Sequence, residues 1–186
     1  MTNLLVLKPG TRLASTIAAT GPTMAIQTML VVCAGNLCRS PMGEALFRRR
    51  IRNRPALARI VVSSAGTIAR EGQPPPYEAV EVMRHLFGLD MARHRAHVFG
   101  RDTQADLILT VDRWTTEQAE AIQVSGSVCM LGDFVGSAEE VVDPYGGSIH
   151  GCQRTARQLD RLVDAAIDRL ETDTASPTFT RADVCR

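Results

Sequence analysis

From residue 28 onward, short apolar runs alternate with longer amphipathic stretches. "MLVVC" (29–33), "IVVSSAG" (60–66), "ADLILTVD" (105–112) and "VCMLGDF" (128–134) have the length and β-branched content of buried strands. "SPMGEALFRRRIRN" (40–53), "YEAVEVMRHLFG" (77–88), "RWTTEQAEAIQ" (113–123) and "GCQRTARQLDRLVDAAIDRLE" (151–171) carry apolar residues at helical spacing. Strands of this kind separated by helices predict βαβ units. The expected fold is a single-domain α/β protein with a four-stranded parallel sheet and helices on both faces. Ligands of such sheets bind at the carboxyl ends of the strands, near a topological switch point. Cys33 is expected at one of those ends.

The pattern sets three segments: a loosely ordered N-terminal extension (1–28), a folded domain (29–171) and a polar, frayed tail (172–186) in which Cys185 is incidental. In the extension Lys8-Pro9-Gly10 interrupts the one short apolar run, which argues against a secretory signal; Met24 or Met29 would serve equally well as starts. No apolar stretch is long enough to span a membrane.

The chain has 186 residues, long enough to bury about two-thirds of its unfolded surface without covalent staples. Its formal net charge is +1 with both signs mixed along it, so there is no electrostatic footprint for nucleic acid or an anionic membrane. Five cysteines at irregular spacing argue against a secreted disulfide framework, and the lack of a C-x2-C pair argues against zinc.

The most specific stretch follows the first strand. Cys33 and Arg39 have C-x5-R spacing, which alone is weak: composition yields about half a match by chance. Context strengthens it. Ala34, Gly35, Asn36, Leu37 and Cys38, the candidate phosphate-binding residues, leave room only for a tight loop, and Gly35 and Asn36 tolerate positive φ. Such a loop can turn successive N–H groups inward as an anion nest. Ser40-Pro41 suits a helix start, with serine at the N-cap, and the helix N-terminus adds its positive end. Arg39 adds a planar fork for two phosphate oxygens. Placed amid this positive potential, Cys33 is expected to be a thiolate nucleophile aimed at phosphorus. The alternative is a buried strand cysteine followed by an ordinary turn.

"VVCAGNLCRSPMGEAL" strongly resembles the active-site loop of the low-molecular-weight protein tyrosine phosphatase family of bacterial type. "SSAGT" (63–67), "HRAHVF" (94–99), "ADLILTVDR" (105–113) and "VVDPYGG" (141–147) resemble further family segments in the same order. The resemblance covers roughly 29–171. It implies hydrolysis of phosphotyrosine through a cysteinyl-phosphate: Cys33 attacks, Arg39 binds the phosphoryl group, and Asp143 is general acid and then base. It implies that Ser40 hydrogen-bonds the sulfur, that Asn36, Ser64 and His94 support the loop, and that Tyr145 lines the pocket. Gly146 stands where the family often has a second aromatic. Asp112 matches a family aspartate without an assigned role. Cys38 is either a small loop filler or, by resemblance, a disulfide partner that protects Cys33 from overoxidation.

Leu37 and Tyr145 favour phosphotyrosine over the phosphoarginine of related enzymes, which carry threonine at the loop position. "GTIAREGQPPPYEA" (66–79) resembles members linked to exopolysaccharide production, so the implied partner is a phosphotyrosine protein such as a bacterial tyrosine autokinase. The implied location is cytoplasmic, with no metal or organic cofactor. Arsenate reductase shares the fold but needs two relay cysteines near the second helix, and 66–100 contains none. A non-catalytic phosphate-binding module would be expected to lose Cys33 or Asp143, and both are present.

Overall fold

The computed structural model describes residues 26–144, 146, 148–175 and 184–185. Most of the N-terminal extension, Tyr145 and most of the polar tail lie outside the described residues.

Four strands, β1 (Thr28–Cys33), β2 (Val61–Gly66), β3 (Leu107–Thr110) and β4 (Ser127–Met130), form one parallel sheet in the order β2-β1-β3-β4. Among the described residues the other elements are helices α1 (Arg39–Arg52), α2 (Tyr77–Phe87), α3 (Arg113–Ile122), α4 (Leu131–Phe134) and α5 (Ile149–Ala175), with a 3-10 turn at Pro55–Leu57. The predicted α/β architecture is the one observed.

Period-two alternation in β1 explains the two cores. Met29, Val31 and Cys33 face a large cluster built with α1, α2 and α5, whereas Leu30 and Val32 face Phe99, Ala105, Ile108 and Ala119 of α3 on the other side. A strand buried on both faces reads as one apolar run, which is how "MLVVC" reads. From β1 the chain steps to β2 on one side and to β3 on the other, so Cys33 ends its strand at the switch point. α1 and α5 pack side by side, tied by Arg50 to Asp160 at 2.7 Å and to Asp164.

The structure corrects several expected elements. The stretch 128–134 is not one strand: β4 ends at Met130 and α4 begins at Leu131. Leu131 and Phe134 are both buried, and residues three apart share a face on a helix but not on a strand. β3 is shorter than expected because the chain turns out after Thr110, with Asp112 capping α3. α5 starts two residues earlier and runs through Ala175, so the first part of the expected frayed tail is helical. Cys185 is not incidental: it pairs with Cys129 of β4, their Cα atoms 5.7 Å apart, and the neighbouring Val184 is buried.

Asp106 fastens the start of β1 to the strand beside it. Its Oδ2 accepts from the Gln27 N–H (2.9 Å), the Thr28 N–H (2.8 Å) and the Thr28 hydroxyl (2.8 Å). Partial burial alone would raise this carboxyl, but the donors hold it below the usual carboxylate range. Asp106→Ala should cost about 1–2 kcal/mol at neutral pH in denaturant melts. A depressed folded-state value means stability that is present above the ordinary aspartate range and lost as pH falls through the folded value. The gap between wild type and variant should therefore close on acidification; an equal gap in acid would contradict this role.

Candidate active site

Five residues carry the chain from Cys33 to the first residue of α1. Cys33 is buried at the strand end, and Asn36 takes a left-handed conformation at φ 53°. The loop lies directly over the end of β2. A Cβ at Gly66 would sit 2.5 Å from the Ala34 carbonyl oxygen and 2.7 Å from the Asn36 nitrogen, so no side chain fits there. The carbonyls of Cys33 and Ala34 accept from Thr67 and Ile68, each at 3.0 Å, which ties the loop to the chain beyond β2.

Asn36 is fully buried and uses its whole carboxamide. Its Nδ2 donates to Ser40 Oγ and Ser64 Oγ, each at 2.9 Å, and its Oδ1 accepts from the His97 N–H at 2.8 Å. His94 Nε2 donates to the Asn36 carbonyl at 2.9 Å, which places a proton on that nitrogen. Ser64 Oγ in turn donates to Glu44 Oε2 at 2.6 Å. The expected Asn36–Ser64–His94 grouping is thus one connected network, and Glu44 extends it.

One N–H and one hydroxyl group face the sulfur. The Asn36 N–H donates to Cys33 Sγ at 3.2 Å, and Ser40 Oγ lies 3.0 Å away. Ser40 was expected at the helix N-cap, but the helix begins one residue earlier, at Arg39. Cys38 is the N-cap and makes no side-chain capping bond. The serine hydroxyl is turned inward, to the sulfur and to the Ala65 carbonyl (3.2 Å).

Arg39 is buried and divides its fork between two carboxylates. Nη1 meets Asp112 Oδ2, and Nη2 donates to Asp143 Oδ2 at 2.5 Å. Asp112 does two tasks: its Oδ1 accepts from the Thr115 N–H at 2.7 Å to cap α3, while Oδ2 holds the guanidinium. Asp143 is half exposed. Arg39 and Asp143 border a cleft of about 660 Å³ together with Cys33, whose floor and walls include Leu37, Ile68 and Pro76. Ala34, Gly35 and Cys38 also line it. Burial, helped by the charges of Cys152, Cys33 and Asp143 and opposed by Arg39, pushes the Cys38 thiol up to about 12.

The structure therefore brings together Cys33, Asn36, Arg39, Ser40, Ser64, His94 and Asp143; Tyr145 lies outside the described residues. Residue-by-residue reasoning missed Glu44. It sits one helical turn beyond Ser40, a spacing that places both on one face of α1. Among the described residues no group of three or more His, Cys, Asp or Glu side chains is placed to hold a metal ion. A buried sulfur that meets an N–H and a hydroxyl, in one cleft with a guanidinium and a carboxylate, can bind a tetrahedral oxyanion and transfer a proton near it.

Comparison with known proteins agrees with that chemistry. Residues 28–176 match the family model for low molecular weight phosphotyrosine protein phosphatase. The chain is 36% identical over 149 residues to a probable low molecular weight protein-tyrosine-phosphatase, EpsP, of Ralstonia nicotianae, covering 78% of this chain and 97% of that one. It is 35% identical over 157 residues to a protein-arginine-phosphatase of Bacillus subtilis, again covering 78% and 97%. The crystal structure of a low molecular weight protein tyrosine phosphatase from T. tengcongensis superposes with a TM-score of 0.70 at 34% identity, covering 77% of this chain and 99% of its own. The fold and site define a phosphoric monoester hydrolase. The chain belongs to the low molecular weight phosphotyrosine protein phosphatase family.

Asn36→Ala would strand the His97 N–H, remove the donor shared by Ser40 and Ser64, and leave a residue at positive φ without compensating bonds. It should cost about 2–4 kcal/mol and weaken inorganic phosphate binding, read by chemical denaturation and by competitive inhibition. Unchanged values of both would contradict a supporting role.

Proposed function

We propose that this chain hydrolyses phosphotyrosine on proteins, with Cys33 as nucleophile, Arg39 as phosphate ligand and Asp143 as general acid and base. The observation that carries the reading is that one buried guanidinium, Arg39, reaches both Asp143 and the mouth of the cleft that ends at the Cys33 sulfur.

The residues suggest an order of events. Phosphoryl oxygens take Asp143's place on the Arg39 fork, while Asp112 keeps the guanidinium in position through Nη1. Asp143, half exposed at the cleft rim, then delivers a proton to the phenolic oxygen as Cys33 Sγ attacks phosphorus. The P–O bond breaks and a P–S bond forms. In the second step Asp143 takes a proton from water as it attacks phosphorus, and the Ser40 hydroxyl and Asn36 N–H receive the departing sulfur.

Leu37 and Ile68 give the cleft an apolar wall suited to a phenyl ring, which supports tyrosine over arginine. The same chemistry supports a phosphotyrosine protein as partner, a tyrosine autokinase of exopolysaccharide synthesis among the candidates. A nucleophile that must stay a free thiol suits the reducing cytoplasm, and among the described residues no helix is long and apolar enough to cross a membrane.

Cys33→Ser should abolish hydrolysis of an aryl phosphate. Asp143→Asn should lose about 10²–10³-fold with a poor phenol leaving group and far less with a good one. Full activity in Cys33→Ser, or an Asp143→Asn loss independent of the leaving group, would contradict the assignment. Faster turnover of phosphoarginine than of phosphotyrosine would transfer the specificity to arginine.

A further inference from the structure

The cleft that ends at Cys33 contains two more sulfurs. Cys38 comes from the N-cap of α1, and Cys152 comes from the first turn of α5, more than a hundred residues away. All three are free thiols lining the same cleft. Cys38 and Cys152 line the cleft together, and each perturbs the other's thiol. Cys152 is buried within the large core cluster and Cys38 packs against that cluster, so the two are held in place by their surroundings. The phosphatase mechanism above uses neither.

We propose that Cys152 is the terminal thiol of a three-cysteine relay that moves oxidation away from the nucleophile, from Cys33 through Cys38 to a Cys38–Cys152 disulfide. This rests on the reading of Cys33 as the reactive sulfur. The oxidant is a peroxide. Cys33 as thiolate attacks a peroxide oxygen; the O–O bond breaks, hydroxide leaves, and Cys33 becomes a sulfenic acid. The Cys38 thiol attacks that sulfur; the S–O bond breaks, an S–S bond forms, and water leaves with the Cys38 proton. The Cys152 thiol then attacks the Cys38 sulfur, and Cys33 leaves as thiolate. The proton released by Cys152 neutralises the hydroxide of the first step. In sum, two thiols lose two electrons to one peroxide, giving one disulfide and two waters, and Cys33 ends as it began.

Geometry sets the direction of the last step. The sulfur expelled is the one that meets the Asn36 N–H at 3.2 Å and Ser40 Oγ at 3.0 Å, with Arg39 nearby. A disulfide whose reduced form is stabilised in this way is the stronger oxidant, so the bond should pass on to Cys38 and Cys152, whose thiolates burial disfavours. Burial raises both Cys38 and Cys152, Glu78 adding to the latter, so neither is activated toward peroxide.

The test treats full-length protein with stoichiometric peroxide, quenches with catalase, and maps disulfides by tandem mass spectrometry with no reductant added. Wild type should show a Cys38–Cys152 cross-link, with Cys33 open to alkylation and the aryl phosphatase rate restored. Cys152→Ala should stop at a Cys33–Cys38 bond, recovering about tenfold less of its own untreated rate until a dithiol is added. Cys152→Ser, nearly isosteric, should behave the same. Wild type that halts at Cys33–Cys38, forms Cys33–Cys152, or carries irreversibly oxidised Cys33 overturns the relay. The mapping reads mass, so wild-type protein decides the matter even if the variants fold poorly. Lack of phosphatase activity in untreated protein would sink the functional reading without altering the disulfide map.

Discussion

Asn36 sits in the left-handed region at the centre of a loop that must pass over Gly66, and its carboxamide is buried with every group used. Such a conformation is costly for a non-glycine residue and persists only when its surroundings over-determine it. Here they do: Ser40, Ser64 and His97 fix the side chain, His94 fixes the carbonyl, and Glu44 fixes Ser64. The reward is the position of one N–H, which the turn aims at Cys33 Sγ. The rest of the site depends on that constraint, because a relaxed loop would release the sulfur, its serine partner and the start of α1 together.

The scaffold adds the second requirement, convergence at the sheet's switch point. β1 brings the sulfur, α1 brings Arg39, the turn after β3 brings Asp112, and the segment before α5 brings Asp143. Arg39 reaches residues 73 and 104 positions away in sequence. A guanidinium held by two carboxylates is buried without an uncompensated charge. One of those carboxylates is fixed by its role as a helix cap; the other lies half exposed at the cleft. On the proposed mechanism, that inequality makes Asp143 the partner that a phosphoryl group displaces.

Much of this was legible in the sequence because its signals are local. The strands of a sheet covered on both faces read as apolar runs, and the loop reads from Cys33, the Gly35-Asn36 pair and Arg39-Ser40-Pro41. What was not legible depends on tertiary contact. Glu44 looks like an ordinary helix-surface acid until Ser64 of β2 comes to meet it. Asp112 had no role in the sequence: it caps α3, and its hold on Arg39 requires β1 and β3 to be neighbours. Cys152 and Cys185 have no local pattern: Cys152 reaches the cleft only through packing of α5 against the loop, and Cys185 meets Cys129 only where the chain end lies against β4. The break between β4 and α4 was hidden because a short apolar stretch fits either period.

The central claim is that Cys33 forms a covalent bond to phosphorus. The most direct test is acid-quenched single turnover of an aryl phosphate with a good leaving group by Asp143→Ala, a variant in which the second step lacks its base. The account predicts a stoichiometric phosphoryl adduct on Cys33, found by tandem mass spectrometry. Phenol release with no adduct, or an adduct on any other residue, would contradict it.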